Sequence, residues 1–484
     1  MTSRSIEQLE RYGEDIACIE SGERFTYRQL LAAADGVAAP IDGRPLVALS
    51  AANTVPSLAA YLGFLRRGIP VMLLPSDMRQ DVLQETLAAY RPGYLFAPLG
   101  AWEREAPRSL CSFRGHALFD VGELGARGVA GAPGSQGVPD APVPLHPDLA
   151  LLLTTSGSTG SRKYVRLSVR NLNANARSIA DYLGIGPGDR AITTLPFSYS
   201  YGLSIINSHL LEGATLVLNE DPLVNRRFWD TLREQEATTF GGVPYTYSLL
   251  KRLRFERMDL PSLRYLTQAG GRLGEELHRE FAETCARKGI GFVVMYGQTE
   301  ATARMSYLAA SDASRFIGSV GKAIPGGRFE LRGADGETVE RPGEEGELVY
   351  FGDNVSLGYA EQASDLAKGD ENCGRLETGD IARRDEEGNC YIVGRKKRFL
   401  KIHGKRTNLD ELDALLEREG FSAASTGSDD RLMVYTDMDD PDAIRTFLIR
   451  TIGLNKGTFE IRRIEAIPRS DSGKVRYSAL EDRR

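Results

Sequence analysis

The segment LLLTTSGSTGSRK, from Leu151 to Lys163, combines residue types that can hold a phosphate group. Backbone amides beside glycines, several hydroxyl groups and two cations all favour a bound phosphate. The spacing differs from that of the P-loop and from that of the hydrolase nucleophile elbow. A flexible Ser/Gly linker is the alternative. The candidate phosphate-binding residues are Thr155, Ser156, Gly157, Ser158, Thr159, Gly160 and Lys163.

Two stretches farther along the chain present polar residues that suit a nucleotide. MYGQTEATARM follows an apolar run and places Tyr296, Thr299 and Glu300 where α/β proteins bind ligands. An aromatic ring can stack on a base, and a carboxylate can hold a magnesium ion beside phosphates. Asp380 and Arg395 could both bind ribose hydroxyls. For each residue taken alone, a core tyrosine, a solvated acid or a surface ion pair is the alternative.

A third stretch, PRSDSGKVRYSAL, lies near the C-terminus and places Lys474 after a glycine in a polar loop. A lysine ammonium in such a loop can reach an active site at a domain boundary. When Lys474 is considered by itself, the alternative is an ordinary surface lysine.

These motifs need a scaffold, and the hydrophobic pattern predicts α/β layers up to about residue 330. Strand-like segments (Leu149–Leu153, IPVMLLP, IGFVVMYG) alternate with helix-like segments (VPSLAAYLGFLRRG, GEELHREFAETCARKG). From about residue 328, short strands between glycines predict a β-rich subdomain. The C-terminal part predicts a separate α+β unit that contains a hairpin around YIVGRKKRFLKIHG. The stretch 124–146 is rich in Gly, Ala and Pro and predicts a surface loop.

Composition and charge restrict the possible classes of protein. The 484 residues are 42% hydrophobic, which implies a large core and at least two domains. The net charge of -6 gives no indication of nucleic-acid binding, and no apolar run reaches the roughly 18 residues of a membrane span. Scattered cysteines and the lack of an apolar signal segment predict a reduced, cytoplasmic protein. The five histidines form no cluster that predicts a zinc site.

Taken together and in order, the motifs resemble those of the adenylate-forming superfamily, which includes acyl-CoA ligases, peptide-synthetase adenylation domains and beetle luciferase. The Ser/Thr/Gly loop, Tyr-Gly-x-Thr-Glu, Thr-Gly-Asp, Gly-Arg-x-x-Arg and the final Gly-Lys span essentially the whole chain. The resemblance implies an α/β fold with a large N-terminal AMP-binding domain of layered sheets and helices, including the β-rich subdomain, over residues 1–396. It also implies a small mobile α+β lid over residues 397–484, with its hinge at Lys397.

By this resemblance, the chain is a ligase that uses ATP and Mg²⁺ to convert a carboxylic acid into an acyl-adenylate, from which a thiol displaces AMP. Cations and magnesium would neutralise charge on the five-coordinate phosphorus, so no general base is needed. The implied catalytic residues are Lys474, Thr299 and Glu300, with Glu300 also as the metal ligand. The other implied nucleotide contacts are the phosphate-loop residues above, Gly270, Gly271, Tyr296 and Gly297 around adenine, Asp380 and Arg395 at the ribose and phosphate, and Lys401, which faces the active site after the lid turns.

The stretch TLPFSYSYGLSIINSHL has no carboxylate where amino-acid-activating domains carry an Asp that pairs with the substrate α-amine. Because a buried ammonium without a partner is costly, a fatty, hydroxy or aryl acid is favoured. Tyr199 either lines the acid pocket or packs in the core, and Gly242 and Ala301 are expected to line the pocket. Arg304 either meets a second polar group of the acid or faces solvent.

Free CoA is the expected thiol acceptor. One alternative is a stand-alone adenylation enzyme that loads an acyl or amino acid onto the phosphopantetheine arm of a separate carrier protein. Another is a non-catalytic nucleotide-binding homologue. The expected partner is a small carboxylic acid, with no nucleic acid and no membrane span, and the expected state is a monomer or a homodimer.

Overall fold

The computed structural model of the chain describes residues 5–101, 107–122, 144–154, 163–402, 405–452, 459–469 and 475–481. Its strands, in chain order, are β1 Ile16–Glu20, β2 Glu23–Thr26, β3 Val47–Ala51, β4 Val71–Pro75, β5 Tyr94–Pro98, β6 Ser109–Phe113, β7 His116–Asp120, β8 Leu151–Thr154, β9 Tyr164–Leu167, β10 Arg190–Ile192, β11 Thr215–Leu218, β12 Thr239–Gly242, β13 Tyr265–Gln268, β14 Gly291–Tyr296, β15 Ser306–Leu308, β16 Lys322–Ala323, β17 Gly327–Arg332, β18 Glu345–Gly352, β19 Gly358–Ala360, β20 Arg375–Arg384, β21 Cys390–Arg395, β22 Phe399–Ile402, β23 Lys405–Asn408, β24 Ala423–Ser428, β25 Arg431–Thr436 and β26 Phe459–Arg463.

The helices alternate with the strands through most of the chain. The α-helices are α1 Tyr27–Ala38, α2 Val55–Arg66, α3 Gln80–Tyr90, α4 Val169–Leu183, α5 Ser200–Leu211, α6 Arg226–Glu234, α7 Pro244–Arg252, α8 Glu275–Lys288, α9 Leu409–Arg418, α10 Pro441–Phe447 and α11 Tyr477–Glu481. A π-helical turn, Leu448–Ile452, follows α10. The short 3-10 helices are Glu10–Tyr12, Phe255–Arg257, Thr299–Ala301, Ala363–Ala367 and Lys396–Arg398. None of the helices within the described ranges is long and apolar enough to cross a membrane.

Two large sheets organise the N-terminal part of the chain. One has the order β16-β15-β14-β13-β12-β10-β11-β1-β2, and the other has the order β19-β9-β8-β4-β3-β5-β7-β6. The run from β14 to β1 is parallel, as is the run from β8 to β5. Parallel neighbours need long crossover connections, and α2, α3 and α5 to α8 provide most of them. The segments that follow these parallel strands therefore leave each sheet at the same edge.

The main core lies between the two sheets. It joins side chains of β3, β4, β8 and β9 from one sheet to those of β1, β10 and β11 from the other, with α1, α2 and α5 among them. Every residue of α5 is buried, as are residues 55–65 of α2. Neither stretch carries an Asp, Glu, Lys or Arg side chain, which explains why these two helices can form the middle layer.

Three smaller sheets follow toward the C-terminus. A four-stranded sheet has the order β17-β18-β20-β21 and ends at Arg395. After the 3-10 helix Lys396–Arg398, the chain forms the hairpin β22-β23 and a sheet of the order β24-β25-β26. These last strands pack with α9 and α10 around Leu416, Leu432 and Ile444 in a core of their own.

The predicted α/β class with a large N-terminal part and a C-terminal part is confirmed, and two details differ. The hairpin expected around YIVGRKKRFLKIHG does not form across that stretch, because β21 pairs with β20 and β22 pairs with β23. The strand expected at Leu149–Leu153 runs from Leu151 to Thr154. Most of the expected surface loop 124–146 lies outside the described residues.

Candidate active site

The residues that follow β14 form a tight loop at the end of a parallel strand. Tyr296 ends β14, and the chain returns along β15, where Ser306 pairs with Tyr296. A Cβ atom on Gly297 would lie 1.7 Å from the carbonyl oxygen of Ala303, so only glycine allows the loop to close this tightly. The 3-10 helix in this loop holds Thr299 and Glu300 just beyond the strand.

Asp380 is at the centre of a polar cluster that joins this loop to the four-stranded sheet. Its carboxylate accepts hydrogen bonds from the Tyr296 hydroxyl and from Gln298 Nε2 at 2.8 Å. Arg395 Nε lies 2.8 Å from the same carboxylate, and the two residues face each other across β20 and β21. Burial raises the pKa of Asp380, and the nearby Arg395 only partly opposes this effect. Burial and the Asp380 charge raise the pKa of Tyr296 well above its usual value, so its hydroxyl keeps its proton and donates.

Tyr359 links two charged residues that are far apart in the sequence. Its hydroxyl donates to Glu300 Oε1 at 2.7 Å, and the Lys163 ammonium lies 3.6 Å from the centre of its ring. Burial and the charge of Glu300 raise the pKa of this tyrosine above its usual range. Sequence reasoning missed Tyr359, because a Gly-Tyr-Ala segment gives no sign of which charged residues the ring contacts.

Arg166 attaches the strand that carries Tyr359 to the rest of its sheet. The side chain is fully buried at 0% exposure and makes five hydrogen bonds to the segment from residue 357 to 371. The acceptors are the carbonyl oxygens of Leu357 and Tyr359, both at 3.0 Å, and of Gly369 at 3.2 Å, the carbonyl of Lys368, and the Glu371 carboxylate. No local pattern in the apolar strand segment KYVRLSV indicates the contacts of this arginine.

Tyr199 lies against Gly270, one of the two glycines expected to line the adenine pocket. A Cβ atom on Gly270 would lie 2.7 Å from the Tyr199 hydroxyl oxygen, and Gly270 also has a positive φ of 83°. Burial raises the pKa of Tyr199 to about 12, so it is a neutral hydrogen-bonding group. Gly271 packs on Pro244, and Gly242 at the end of β12 is buried beside Thr246.

The first turn of α5 also contacts the loop after β14. The Ser200 hydroxyl lies 3.1 Å from the Thr299 hydroxyl, and both residues are buried. The ring of Tyr201 stands 6.3 Å from that of Tyr199 in an edge-to-face arrangement. The stretch expected to bind the acid therefore lies next to the loop expected to bind nucleotide phosphate and magnesium.

Arg304 does not face solvent, so that alternative for this residue is wrong. Its exposure is 1%. Nη1 donates to the Tyr182 hydroxyl at 3.2 Å and contacts Met295 Sδ, and Cζ lies 4.4 Å from the centre of the Tyr201 ring. Ala301, on the same loop, is also fully buried.

The predicted lid residues are described only in part. Lys397 is exposed on the 3-10 helix Lys396–Arg398. Lys401 lies on β22, and its side chain is outside what the structure describes. The remaining predicted residues lie outside the described ranges, namely Lys474 and the phosphate-loop residues Thr155, Ser156, Gly157, Ser158, Thr159 and Gly160.

A partly buried ionic cluster connects Arg398, which follows Lys397, to the C-terminal helix α11. Arg398 pairs with Asp410 and, at 2.6 Å, with Asp413, and its Cζ lies 3.6 Å from the centre of the Tyr477 ring. The Tyr477 hydroxyl donates to Asp413 at 2.8 Å. Burial raises the pKa of Asp413 to about 6, against the lowering effect of Arg398.

The described residues contain no group of three or more His, Cys, Asp and Glu side chains that could hold a metal ion by themselves. Glu300 provides one carboxylate beyond β14. Magnesium prefers oxygen ligands and usually combines one or two carboxylates with substrate phosphates and water. Glu300 can supply the one protein carboxylate that such a site needs.

Comparisons with known proteins identify the family and the fold of the chain. The profile of the family described as "AMP-binding enzyme" matches residues 6–360. The sulfoacetate–CoA ligase of Cupriavidus necator is 33% identical over 70% of this chain and 68% of its own length. The indoleacetate–CoA ligase of Aromatoleum aromaticum is 34% identical over 55% of this chain, and the match spans 51% of that enzyme. The AMP complex of O-succinylbenzoate coenzyme A synthetase from Bacillus subtilis has a similar fold, with a TM-score of 0.78 at 22% identity over 99% of this chain and 98% of that chain.

The family match covers well over half of the chain, and the similar enzymes are acid–CoA ligases. Such enzymes use ATP and Mg²⁺ to activate a carboxylic acid and CoA to take up the acyl group. The chain therefore belongs to the AMP-binding enzyme family, and it is an AMP-forming acid–thiol ligase of the acyl-CoA synthetase type.

Proposed function

We propose that Tyr296, Asp380 and Arg395 bind the nucleoside of ATP, with the backbones of Gly270, Gly271 and Gly297 beside the base. A carboxylate has about four lone-pair sites. Tyr296, Gln298 and Arg395 occupy three sites on Asp380, which leaves one to accept a ribose hydroxyl. This convergence of three side chains from two separate segments on one buried carboxylate is the observation that carries the proposal.

Glu300 is the proposed magnesium ligand, Thr299 the contact to the α-phosphate, and Lys163 a contact to the outer phosphates, together with Thr155, Ser156, Gly157, Ser158, Thr159 and Gly160. Bound magnesium supplies positive charge that offsets repulsion between the phosphates and the attacking carboxylate. The Tyr359 contacts support this assignment, because they hold Glu300 and Lys163 close together.

The proposed acid pocket is lined by Tyr199, Gly242, Ala301 and Arg304. Tyr199 is neutral and close to Gly270, and it provides no anion for an α-ammonium group. The similar enzymes that act on sulfoacetate and indoleacetate support a small acid without an α-amine as the substrate.

We place the domain boundary between residues 396 and 397, with Lys397 as the hinge of the lid. The change of sheet partner on either side of Lys396–Arg398 supports this position. Lys474 is proposed to bridge the acid and the α-phosphate once the lid closes, and Lys401 to face the site during the thiol step. Closure thus completes the catalytic set.

Free CoA is the proposed acceptor, and the phosphopantetheine arm of a separate carrier protein is the second candidate. We propose a reducing, cytoplasmic location, which the five unpaired cysteines support. A monomer or a homodimer remains the proposed assembly.

A hydroxamate-trapping screen of carboxylic acids with ATP and Mg²⁺ tests the adenylation step, and it is read as AMP and acyl-hydroxamate. The best acid is then offered with CoA and with a carrier protein bearing phosphopantetheine, and thioester is measured by mass spectrometry. We expect thioester with CoA. Saturable ATP binding without AMP formation from any acid would instead identify a non-catalytic homologue.

A further inference from the structure

Two side chains at the start of helix α9 hold the end of strand β21. The side-chain amide of Asn408 donates a hydrogen bond to the Val393 carbonyl oxygen at 3.0 Å. The backbone amide of Arg395 donates to the Asp410 carboxylate at 2.9 Å. A Cβ atom on Gly394 would lie 2.8 Å from the buried Asn408 side chain, so the two segments are in close contact. We call Asn408 and Asp410 the clasp.

The clasp spans the proposed hinge at Lys397. Its two partners on β21 precede Lys397 in the chain, whereas Asn408 and Asp410 follow it. A turn of the chain at Lys397 moves everything after this residue relative to β21. Both hydrogen bonds must therefore break when the lid changes its orientation, and while they are formed they favour the orientation seen in the structure.

Arg398 holds the Asp410 carboxylate from the lid side of the hinge. Its Nε donates to one oxygen of Asp410, and the Arg395 amide donates to the other. The Arg398 guanidinium is itself paired with Asp413 at 2.6 Å. The two oxygens of Asp410 thus bind residues on opposite sides of Lys397.

Apolar packing does little to select this orientation. Among the residues that the structure describes, the apolar clusters of the C-terminal part contain only residues between 400 and 480, and the others contain only residues up to 392. Because no cluster spans the hinge, a few polar contacts can decide between orientations. The net contribution of one hydrogen bond corresponds to about fivefold in an equilibrium constant.

We infer that Asn408 and Asp410 are positioning residues of the ligase reaction, which hold the lid in the orientation of the structure and release β21 when the lid turns for the other step. The inference rests on the proposed function, because it uses Lys397 as the hinge and assigns adenylation and thioester formation to two lid orientations. Breaking the clasp raises the population of the second orientation. One step should therefore become faster relative to the other.

The test compares the two steps in variants that each lose one bond. Asp410→Ala removes the acceptor for the Arg395 amide, and Asn408→Ser removes the donor to Val393 but keeps a hydroxyl that can cap α9. Adenylation is measured as pyrophosphate release with the best acid, and thioester formation is measured from synthetic acyl-adenylate and CoA. We expect both variants to change the ratio of the two rates in the same direction, by about fivefold.

Glu411→Ala is the matched control, because Glu411 is an exposed acid in the same turn of α9. Asp410→Asn keeps an oxygen for the Arg395 amide and should retain most of the wild-type ratio. A ratio within about twofold of the control in either Asp410→Ala or Asn408→Ser overturns the inference, and so do changes in opposite directions. If Asp410→Ala fails to fold, Asn408→Ser decides.

A distance measurement separates failure of the inference from failure of the proposed function. Spin labels are attached to the exposed Cys373 and to Ser428→Cys in the lid, in a Cys111→Ser background. Electron–electron resonance then gives the distance distribution with ATP and with AMP plus CoA. A single wild-type distance under all conditions overturns the proposed lid turn and the inference with it.

Two wild-type distances whose populations stay unchanged in either Asp410→Ala or Asn408→Ser overturn the inference alone. Populations that shift in both variants and not in Glu411→Ala support the clasp, even if no acid yields AMP.

Discussion

Replacing Arg166 with methionine should detach the strand that carries Tyr359. Arg166 is fully buried, and its guanidinium donates to four carbonyl oxygens and to the Glu371 carboxylate. Methionine fills much of the same volume but donates no hydrogen bond. The change therefore isolates the loss of donors from the loss of packing.

The expected size of the effect comes from the acceptors left behind. Each intramolecular hydrogen bond contributes about 1 kcal/mol, and a buried acceptor without a donor costs at least that much. Glu371 is 49% exposed, so its ion pair adds little beyond one hydrogen bond. Loss of the five bonds should lower the free energy of unfolding by about 5 kcal/mol. Because β19 holds Tyr359 against Lys163 and Glu300, adenylation should slow as well.

Urea unfolding followed by circular dichroism measures the stability change, and pyrophosphate release measures adenylation. Arg170→Met is the matched control, because Arg170 pairs with Asp353 at 2.7 Å at the surface, with both side chains more than 60% exposed. Such exposed pairs contribute at most about 1 kcal/mol. An Arg166→Met protein within about 1 kcal/mol of the control would refute this account of the five hydrogen bonds.

Four further results are expected. Asp380→Asn should raise KM for ATP tenfold or more, about 1.4 kcal/mol, and nucleotide titration of the initial rate measures this. Lys474→Ala should slow adenylation a hundredfold or more, about 3 kcal/mol, and intact carboxylate-dependent pyrophosphate exchange would show that Lys474 has another role. Removal of magnesium with EDTA should abolish AMP formation, and added Mg²⁺ should restore it. Burial lowers the pKa of His278 from 6.5 to about 4, and its Nδ1 accepts from the Gly318 amide at 3.1 Å. The unfolded state therefore binds a proton at this histidine more tightly than the folded state does. The contribution of His278 to the free energy of unfolding is complete above pH 6.5 and falls as the pH drops. From pH 7 to pH 5, protonation of His278 lowers the free energy of unfolding of the wild type by about 2 kcal/mol. Over the same range, the free energy of unfolding of His278→Gln should fall by about 2 kcal/mol less.

The sequence predicted the alternation of strands and helices well, because the hydrophobic period reflects burial directly. The helix expected at VPSLAAYLGFLRRG runs from Val55 to Arg66, and the one expected at GEELHREFAETCARKG runs from Glu275 to Lys288. The sequence did not predict that the chain changes from pairing with β20 to pairing with β23 on either side of Lys396–Arg398. An alternating pattern specifies which face of a strand is buried, but it does not specify which strand lies beside it.

Residue type and motif order were enough to select Tyr296, Glu300 and Asp380 as candidate site residues, and their roles stay predictions. Side chains that act through distant contacts could not be selected in this way. Arg166 bonds to residues about 200 positions away, and the contacts of Tyr359 involve two residues from other segments of the chain. The burial of Arg304 depends on helices α4 and α5 closing over it, which no local pattern near MYGQTEATARM reveals.

The close approach of Gly297 to Ala303 has a consequence for anyone who redesigns this enzyme. The main chain touches itself within seven residues, so the loop behaves as one stiff piece rather than as a string of independent positions. Glu300 and Arg304 stand on that same piece. Substitutions at residue 304 that aim at a new acid preference therefore also shift the backbone that carries the Glu300 carboxylate. Libraries should vary the two positions jointly.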